Sequence, residues 1–313
     1  GDGDIAALAG APFEKGRKSD GVMQPLSLMF SVADVDIAKA VQAVGLRRAE
    51  PLEPKPGMSP YMHFTLSLDP WLDDLRREMP DVAHFNLFTG NALRQGIING
   101  TTTSHVPFVD ATDAEQLTRA EVQGRRMAFR LVGFMRRHVP GFENAYLLRT
   151  APHIGVRETR RILGEYYLTY DDVIEGRQFD DVVALGGFFV DIHNYEGGSQ
   201  LGFDPGKGVF IKDLGSYDIP YRTLVPLRVE GLLVAGRCFS ASHEAQASAR
   251  VMATCFAMGH GAGAAAAVAV QDGVAARNVN VRKVQEMLLS QGGYLGERFA
   301  GIRVPTPLPR QRG

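Results

Sequence analysis

The alternation of apolar and polar positions predicts a mixture of strands and short helices over the first ninety residues. Residues 62–68, MHFTLSL, alternate as a half-buried strand does. Residues 23–32, MQPLSLMFSV, and residues 84–90, HFNLFTG, favour two further strands. VDIAKAVQAVGL predicts a short helix closed by Gly45, and DPWLDDLRREMP predicts another that stops at Pro80.

The longest helical pattern of the chain begins after Thr112. Its apolar residues recur at helical spacing, and arginines occupy the other face. Thr112 and Glu115 have the spacing of a capping box, and Pro140–Gly141 is a typical helix end. The pattern therefore predicts a helix that packs one face against the core and exposes its arginines to solvent.

A short apolar run followed by a small-residue helix is the most informative pattern. Residues 232–236, LLVAG, have the composition of a buried parallel strand, and Gly236 ends it. After a polar loop, residues 248–270 predict a helix made almost only of Ala, Gly, Val and Met. Each glycine in it weakens an isolated helix by about 1 kcal/mol relative to Ala, which a sequence tolerates where another backbone approaches closely. The glycines are Gly259, Gly261 and Gly263.

This arrangement predicts a ligand site at the start of the helix. In an open α/β sheet the N-terminus of such a helix faces the carboxyl end of the strand, where ligands bind. Unpaired N–H groups and the positive end of the helix dipole suit a negative or electron-rich ligand group.

Four charged residues lie close together in RETRR, residues 157–161. One interpretation is a helix start with ordinary surface ion pairs, which contribute little. The other is that one arginine points inward and grips an anionic group with two parallel hydrogen bonds.

His193 and Tyr221 are the next polar candidates. DDVVALGGFFVDIHNY predicts an apolar strand that ends near His193, and this histidine either satisfies a structural contact or exchanges a proton with a ligand. Tyr221 and Arg222 lie beside Pro220, in a cluster that either lines a pocket or forms an ordered loop.

Composition excludes several classes of protein. The 313 residues are 45% apolar, enough for one large or two ordinary domains. A formal net charge of −1 gives no indication of nucleic acid or of an anionic membrane as partner. Cys238 and Cys255 have no metal-site spacing, so neither a disulfide scaffold nor a bound metal is predicted. No signal peptide or long apolar span is visible, so we expect no membrane partner; the compartment is left open, with the cytoplasm as the default.

The first ten residues, GDGDIAALAG, match the G-x-G-x-x-G/A pattern of a dinucleotide-binding turn. That turn must follow a buried strand, and no residue precedes Gly1 in this sequence. Asp2 and Asp4 would also repel a pyrophosphate. We therefore expect a helix start instead, with Asp4 as N-cap and Gly10 as the stop.

Several segments resemble the FAD-dependent oxidoreductase family, a branch of the glutathione-reductase-like flavoproteins distantly similar to fumarate reductase flavoprotein subunits. The resemblance covers nearly the whole chain, and its most specific part is the run through His243, Ala249, Arg250 and Val251. The segments that carry it are GDGDIAALAGAPFEKGR, PHIGVRETRRILGEY, GGFFVDIHNY, YDIPYRTLVP, LLVAGRCFSASHEAQASARVMATC and MGHGAGAAAA.

The resemblance implies an α/β fold, with an incomplete FAD/NAD(P)-binding, Rossmann-like domain and an inserted α+β substrate domain. It assigns residues 1–21 and 215–275 to the FAD-binding domain, 22–214 to the inserted domain and 276–313 to a carboxy-terminal extension. GDGDIAALAG would be the tail of a flavin domain whose first half belongs either to a longer protein or to a separate polypeptide. The alternative function is a non-catalytic interaction subunit, or a fragment that binds no flavin.

The implied cofactor is FAD. A helix starting near Ala249 would direct backbone N–H groups at the flavin N1–C2=O edge, where negative charge develops on reduction. The implied cofactor-binding residues are Gly1 and Asp2 near the adenosine half, Gly236 and Arg237 along the ribityl–pyrophosphate side, and Ala249, Arg250, Val251 and Met252 at the helix start.

The resemblance also implies that a small-molecule substrate lies over the flavin face and exchanges a hydride with the flavin atom N5. Cys238 is either a covalent flavin anchor or redox thiol, or a small buried residue, and Cys255 is expected to pack. The candidates for orienting substrate or moving a proton are His193, His243, Tyr221, Arg157 and Arg250.

Overall fold

The computed structural model describes residues 1–44, 46–48, 62–81, 87–94, 97–101, 105–193 and 210–299. Within these residues the α-helices are α1 (Asp4–Leu8), α2 (Ile37–Val44), α3 (Leu72–Glu78), α4 (Ala114–His138), α5 (Tyr170–Ile174), α6 (His243–Ala249), α7 (Met252–Asp272) and α8 (Val281–Ser290). The strands are β1 (Phe13–Lys15), β2 (Leu26–Ser27), β3 (Phe30–Ala33), β4 (Leu46–Arg48), β5 (Met62–Ser67), β6 (Leu87–Arg94), β7 (Ile97–Thr101), β8 (His105–Val106), β9 (Tyr146–Thr150), β10 (Arg160–Ile162), β11 (Val182–Gly186) and β12 (Tyr217–Pro220).

The chain forms two compact units. The first contains residues 1–23, 157–192 and the described residues beyond 209, and the second contains residues 24–156 and His193. The predicted inserted domain, 22–214, differs from the second unit mainly in residues 157–192, which lie in the first unit. The fold is a mixture of helix and sheet in both units, consistent with the predicted α/β class.

The second unit is built on a six-stranded antiparallel sheet in the order β4-β5-β6-β7-β3-β9. Helix α4 packs against β9 and buries Met127, Leu131 and Phe134 in the core of this unit. Its N-cap is Asp113, whose carboxylate accepts hydrogen bonds from the N–H groups of Glu115 and Gln116. The predicted Thr112 capping box is therefore wrong by one residue, while the helix itself and its end before Pro140 are confirmed.

The first unit packs α7 and α8 against β11, which pairs with β12 in an antiparallel ribbon. The close approach expected of the small-residue helix occurs at Gly261, where an added Cβ would lie 3.0 Å from Val183 Cβ. Gly259 and Gly263 face open space among the described residues. Only one of the three glycines therefore serves helix–strand packing here.

The two sides of α7 respond differently to an added methyl group. Gly263→Ala is expected to raise the free energy of unfolding by about 0.8–1.0 kcal/mol, because alanine is the better helix former and its Cβ meets nothing. Gly261→Ala should gain less or lose stability, because its Cβ crowds Val183. Urea unfolding of both variants checks this, and an equal gain at both positions would contradict the packing.

Two predictions in the carboxy-terminal half are wrong. Residues 232–236 form no strand, since the backbone bond that anchors them runs from the N–H of Val234 to the carbonyl of Leu224 (2.9 Å) and no ladder continues it. The single helix expected over 248–270 is two helices, α6 and α7, because the backbone at Val251 is extended (φ −65°, ψ 149°). The described sheets are accordingly antiparallel rather than parallel.

Other predictions hold in part. Residues 1–10 contain the short helix α1, but Gly3 occupies its N-cap position and Asp4 lies in its first turn. Residues 23–32 split into β2 and β3. The expected helices before Gly45 and Pro80 are α2 and α3, and β5 matches its prediction, whereas Gly45 and residues 84–86 lie outside the described residues.

Helix α7 is, by length and composition, apolar enough to cross a membrane, and it is the one helix of this kind among the described residues. Six of its residues are buried in the first unit, where they pack on β11 and α8. Its opposite face carries an exposed apolar stripe at spacings of four and three residues: Met252, Phe256, Gly259, Gly263, Ala266 and Val270.

Candidate functional site

The junction between α6 and α7 determines which backbone groups can reach a ligand. The N–H of Arg250 donates to the carbonyl of Gln246 (2.9 Å) and so closes α6. Ala249 is buried as the last residue of α6, and Val251 is the N-cap of α7. The expectation of a helix starting near Ala249 is corrected, since the first helical N–H groups belong to Met252, Ala253 and Thr254.

The start of α7 is open. Val251 supplies no side-chain cap, and Met252 is 75% exposed. The first N–H groups of an α-helix have no acceptor within the helix, and those of a 21-residue helix carry the positive end of its dipole. An electron-rich edge of a ligand fits this position.

Arg250 lies immediately before that helix start and is held by Asp191. Its guanidinium Nη2 donates to the backbone carbonyl of Asp191 (2.9 Å) and to the Asp191 carboxylate (3.0 Å). Burial lowers the pKa of the Arg250 guanidinium, and the charges of Asp191 and Glu158 oppose that effect. Arg250 is thus a fixed cation at the base of the open helix start.

A second cluster joins Asp2 to Arg237. The two side chains form an ion pair at 3.3 Å, both about one-third exposed. Thr159 donates to the Asp2 carboxylate (3.3 Å), and Arg160 donates to the Asp2 carbonyl (3.3 Å). Within the described part of the chain the buried Nε of Arg237 makes no hydrogen bond.

Glycines shape this second cluster. A Cβ at Gly1 would lie 3.0 Å from the Arg237 guanidinium, so the backbone there is in close contact with that side chain. Gly236 has a φ of +83°, which favours glycine, and open space surrounds it. The predicted residues Gly1, Asp2, Gly236 and Arg237 therefore come together in the first unit.

The two thiols lie near these clusters. Burial raises the pKa of the Cys255 thiol, which lies in the first turn of α7. The charges of Arg237 and Arg250 lower that pKa and partly oppose the effect of burial. Cys238 is buried among Ala6, Ile162 and Val234, and burial raises its thiol pKa as well. A protonated buried thiol is a weak nucleophile, so this environment favours the packing interpretation of Cys238.

The RETRR segment leads into strand β10 and contains a buried ion pair. Glu158 is 0% and Arg161 2% exposed, and the two side chains are in direct contact. Arg161 also donates to the carbonyls of Ala241 (2.9 Å) and Gly16 (2.8 Å). The inward-pointing arginine that the sequence allowed is therefore Arg161, and the expected helix start is wrong because residues 160–162 form β10.

His243 completes that network. Its Nδ1 lies 3.0 Å from Oε1 and 2.9 Å from Oε2 of Glu158. The sequence analysis named His243 but missed Glu158 as its partner. The available signal was the ionic pair at a spacing of three residues in RETRR, which local sequence cannot distinguish from a surface pair.

The remaining candidate residues are His193, Tyr221 and Arg157. His193 lies in the second unit, its ring Nδ1 3.2 Å from Nε2 of His105. The Tyr221 hydroxyl donates to the Ala276 carbonyl (2.6 Å), and burial raises its pKa to about 12. The Arg157 carbonyl accepts a hydrogen bond from Gln246 (3.0 Å) in the first unit. The hydrogen bond to Ala276 and the burial of the ring give Tyr221 a packing role.

Comparison with known protein families gives a match over most of the chain. The model of the family described as FAD dependent oxidoreductase matches residues 1–288. A search of curated proteins and a search of solved structures found no match. The predicted family and cofactor are confirmed, and the finer resemblance to glutathione-reductase-like proteins stays a prediction. With 288 of its 313 residues matched, the chain belongs to the FAD-dependent oxidoreductase family, whose cofactor is FAD.

Proposed function

We propose that the first unit holds FAD between the start of α7 and the Asp2–Arg237 pair, and that the protein transfers a hydride between a small organic substrate and flavin N5. The observation that carries the proposal is the uncapped start of α7, with Arg250 directly before it. A general oxidoreductase function follows from the family. The hydride step and the residues assigned to it are the proposal.

The groups that would hold the cofactor are of two kinds, backbone N–H groups and charged side chains. The N–H groups of Met252 and Ala253 would donate to an electron-rich edge, as the dipole of α7 favours. Arg237 offers a buried N–H without a partner among the described residues, and Asp2 offers a carboxylate to hydroxyl groups. Because Asp2 and Arg237 touch each other, they would meet the same part of the cofactor.

Bound FAD would accept the electron pair of a substrate C–H bond while the substrate is oxidised. The chain's own residues would then remove the remaining proton from the substrate, and His243 and His193 are the candidates. Arg250 would orient substrate or cofactor as a fixed cation, and Arg157 stays a candidate for the same role. Tyr221 is left out of this proposal, because its hydroxyl already donates to a carbonyl.

We also propose the Rossmann-like assignment of the first unit and the inserted character of the second. The exposed apolar stripe on α7 supports a further polypeptide surface over this helix, since contiguous exposed apolar surface commonly marks an interface. The expected amino-terminal half of the flavin domain, in the same or a separate chain, would be that surface. A subunit that contributes to a flavin site without holding flavin is the alternative function.

The proposal predicts that the purified chain binds FAD and that Arg237→Met weakens binding about tenfold to hundredfold, because a hydrogen bond from a charged group is lost. Absorbance spectra after removal of excess FAD, and quenching of flavin fluorescence during titration, measure this. Arg282→Met is the matched control, since Arg282 is an exposed arginine of α8 whose ion pair, among the described residues, is with Glu286.

A retained flavin spectrum in the unsubstituted protein, with Arg282→Met binding normally, supports the site. No retained flavin in the unsubstituted protein would refute FAD binding by this chain unaided and favour the subunit alternative. Equal binding by Arg237→Met and the unsubstituted protein would refute the assignment of Arg237.

A further inference from the structure

The Glu158–His243 contact determines which nitrogen of His243 carries a proton. An ionised carboxylate only accepts hydrogen bonds, and both oxygens of Glu158 lie within 3.0 Å of His243 Nδ1. Arg161, which carries a permanent positive charge, contacts Oε1 of the same buried carboxylate. Nδ1 must therefore donate, and in the neutral ring Nε2 is left with a free lone pair.

His243 lines a cavity of about 760 Å³ that lies entirely within the first unit. Its volume falls in the range of small-molecule sites. Its wall includes the hydrogen-bonding side chains of Lys15, Lys18, Tyr167, Ser242 and Glu244. Within the described residues Nε2 of His243 makes no hydrogen bond, so it is available to a ligand in this cavity.

The charges around the cavity favour a polar ligand without a strong net charge. Arg17 is paired with Asp20 (2.7 Å), and Arg161 lies between Glu158 and Glu14, with the Glu14 carboxylate 3.6 Å away. Lys15 and Lys18 together with Glu14 and Glu244 contribute two charges of each sign. A hydroxylated small molecule matches this balance better than a phosphate does.

We propose that Glu158 is a positioning residue that holds His243 in the Nδ1–H form, and that His243 Nε2 accepts the hydroxyl proton of a small hydroxylated ligand in this cavity. In that step the ligand O–H bond breaks with its electron pair left on the oxygen, an N–H bond forms at Nε2 from the lone pair of that nitrogen, and the Glu158 carboxylate stabilises the resulting imidazolium. The assignment of the ligand as the substrate rests on the proposed function, whereas the tautomer does not.

Long-range ¹H–¹⁵N correlation spectra of the histidine rings in the purified protein test the positioning role. At a pH where the ring is neutral, His243 should show a protonated Nδ1 and an unprotonated Nε2. The signals are assigned by their loss in His243→Gln. A protonated Nε2 in the unsubstituted protein would overturn the proposal without any variant.

Glu158→Gln is expected to reverse the tautomer. Arg161 would take the single amide oxygen, so the amide NH₂ group would face Nδ1 and force it to accept. Glu165→Gln is the matched control, because Glu165 is an exposed carboxylate paired with Arg277. An unchanged His243 tautomer in folded Glu158→Gln would overturn the positioning role, since a merely structural carboxylate moves stability and not the tautomer.

Added glycerol and glycolate test the ligand class, with acetate as the probe that lacks a hydroxyl group. Shifts of His243 Nε2 with glycerol and glycolate but not acetate support a hydroxylated ligand. Shifts with glycolate and acetate alone would replace it with a carboxylate ligand, and no shift with any probe would overturn the ligand assignment. These outcomes do not depend on FAD binding, so they fail separately from the flavin titration.

Discussion

Replacing Arg161 with methionine is expected to lower the free energy of unfolding by about 3–5 kcal/mol, because removing one partner leaves a buried charge uncompensated. Glu158 would lose the guanidinium that contacts its carboxylate and keep the contact with Nδ1 of His243. The carbonyls of Ala241 and Gly16 would lose their guanidinium donor as well. The substitution therefore separates three segments of the chain that a single side chain now joins.

Urea unfolding followed by circular dichroism measures this loss. Arg160→Met is the matched control in the same strand, because Arg160 pairs with the exposed carboxylate of Asp4, and such pairs are worth up to about 1 kcal/mol. If Arg161→Met lost no more stability than Arg160→Met, the buried network would not be the main support of this region. Adding Glu158→Gln to Arg161→Met should cost less than the sum of the single substitutions, because the two residues are coupled.

Replacing Gly16 with alanine is expected to lower the free energy of unfolding by about 1–3 kcal/mol more than the same change at Gly21, because it forces overlap in a packed loop. Both glycines have positive φ, +61° and +74°, so both substitutions carry the same backbone penalty. A Cβ at Gly16 would overlap the carbonyl group of Gly21, whereas a Cβ at Gly21 meets nothing within 4 Å.

The loop that these glycines bound is held by its own backbone. The N–H of Arg17 donates to the Val22 carbonyl (3.0 Å), and the N–H of Gly21 donates to the Arg17 carbonyl (2.8 Å). Urea unfolding of Gly16→Ala and Gly21→Ala therefore isolates the overlap from the effect on φ. Equal losses at the two positions would show that the loop adapts to the added methyl group.

The local sequence pattern predicted helices well where the amphipathic pattern extended over many residues. Helix α4 buries the apolar positions that its spacing indicated, and its end at Pro140 follows from the missing proline N–H. The same reasoning failed at 232–236, because a short apolar run does not say whether a neighbouring strand will pair with it. It failed at Val251 too, since nothing in a run of small residues marks where one helix ends and another begins.

The contacts of the candidate site residues could be predicted only where the partners are close together in sequence. The resemblance named Gly1, Asp2 and Arg237, which lie together in the structure, and a helix start near Ala249, which lies two to three residues before that of α7. Glu158 was missed as the partner of His243 because 85 residues separate the two in sequence. Arg157 was chosen over Arg161 for a similar reason, as only the strand register of β10 turns Arg161 inward.

The arrangement of the two units in sequence has a consequence for the order in which they form during synthesis. The sheet of the second unit is complete once Thr150 has been made, because β9 is its last strand in sequence. In the first unit, β1 cannot pair until β10 has been made. Strand β12, the partner of β11, follows β11 by about thirty residues. Domains generally fold as units while the chain emerges, so the second unit can fold on the ribosome while residues 1–23 still await their partners.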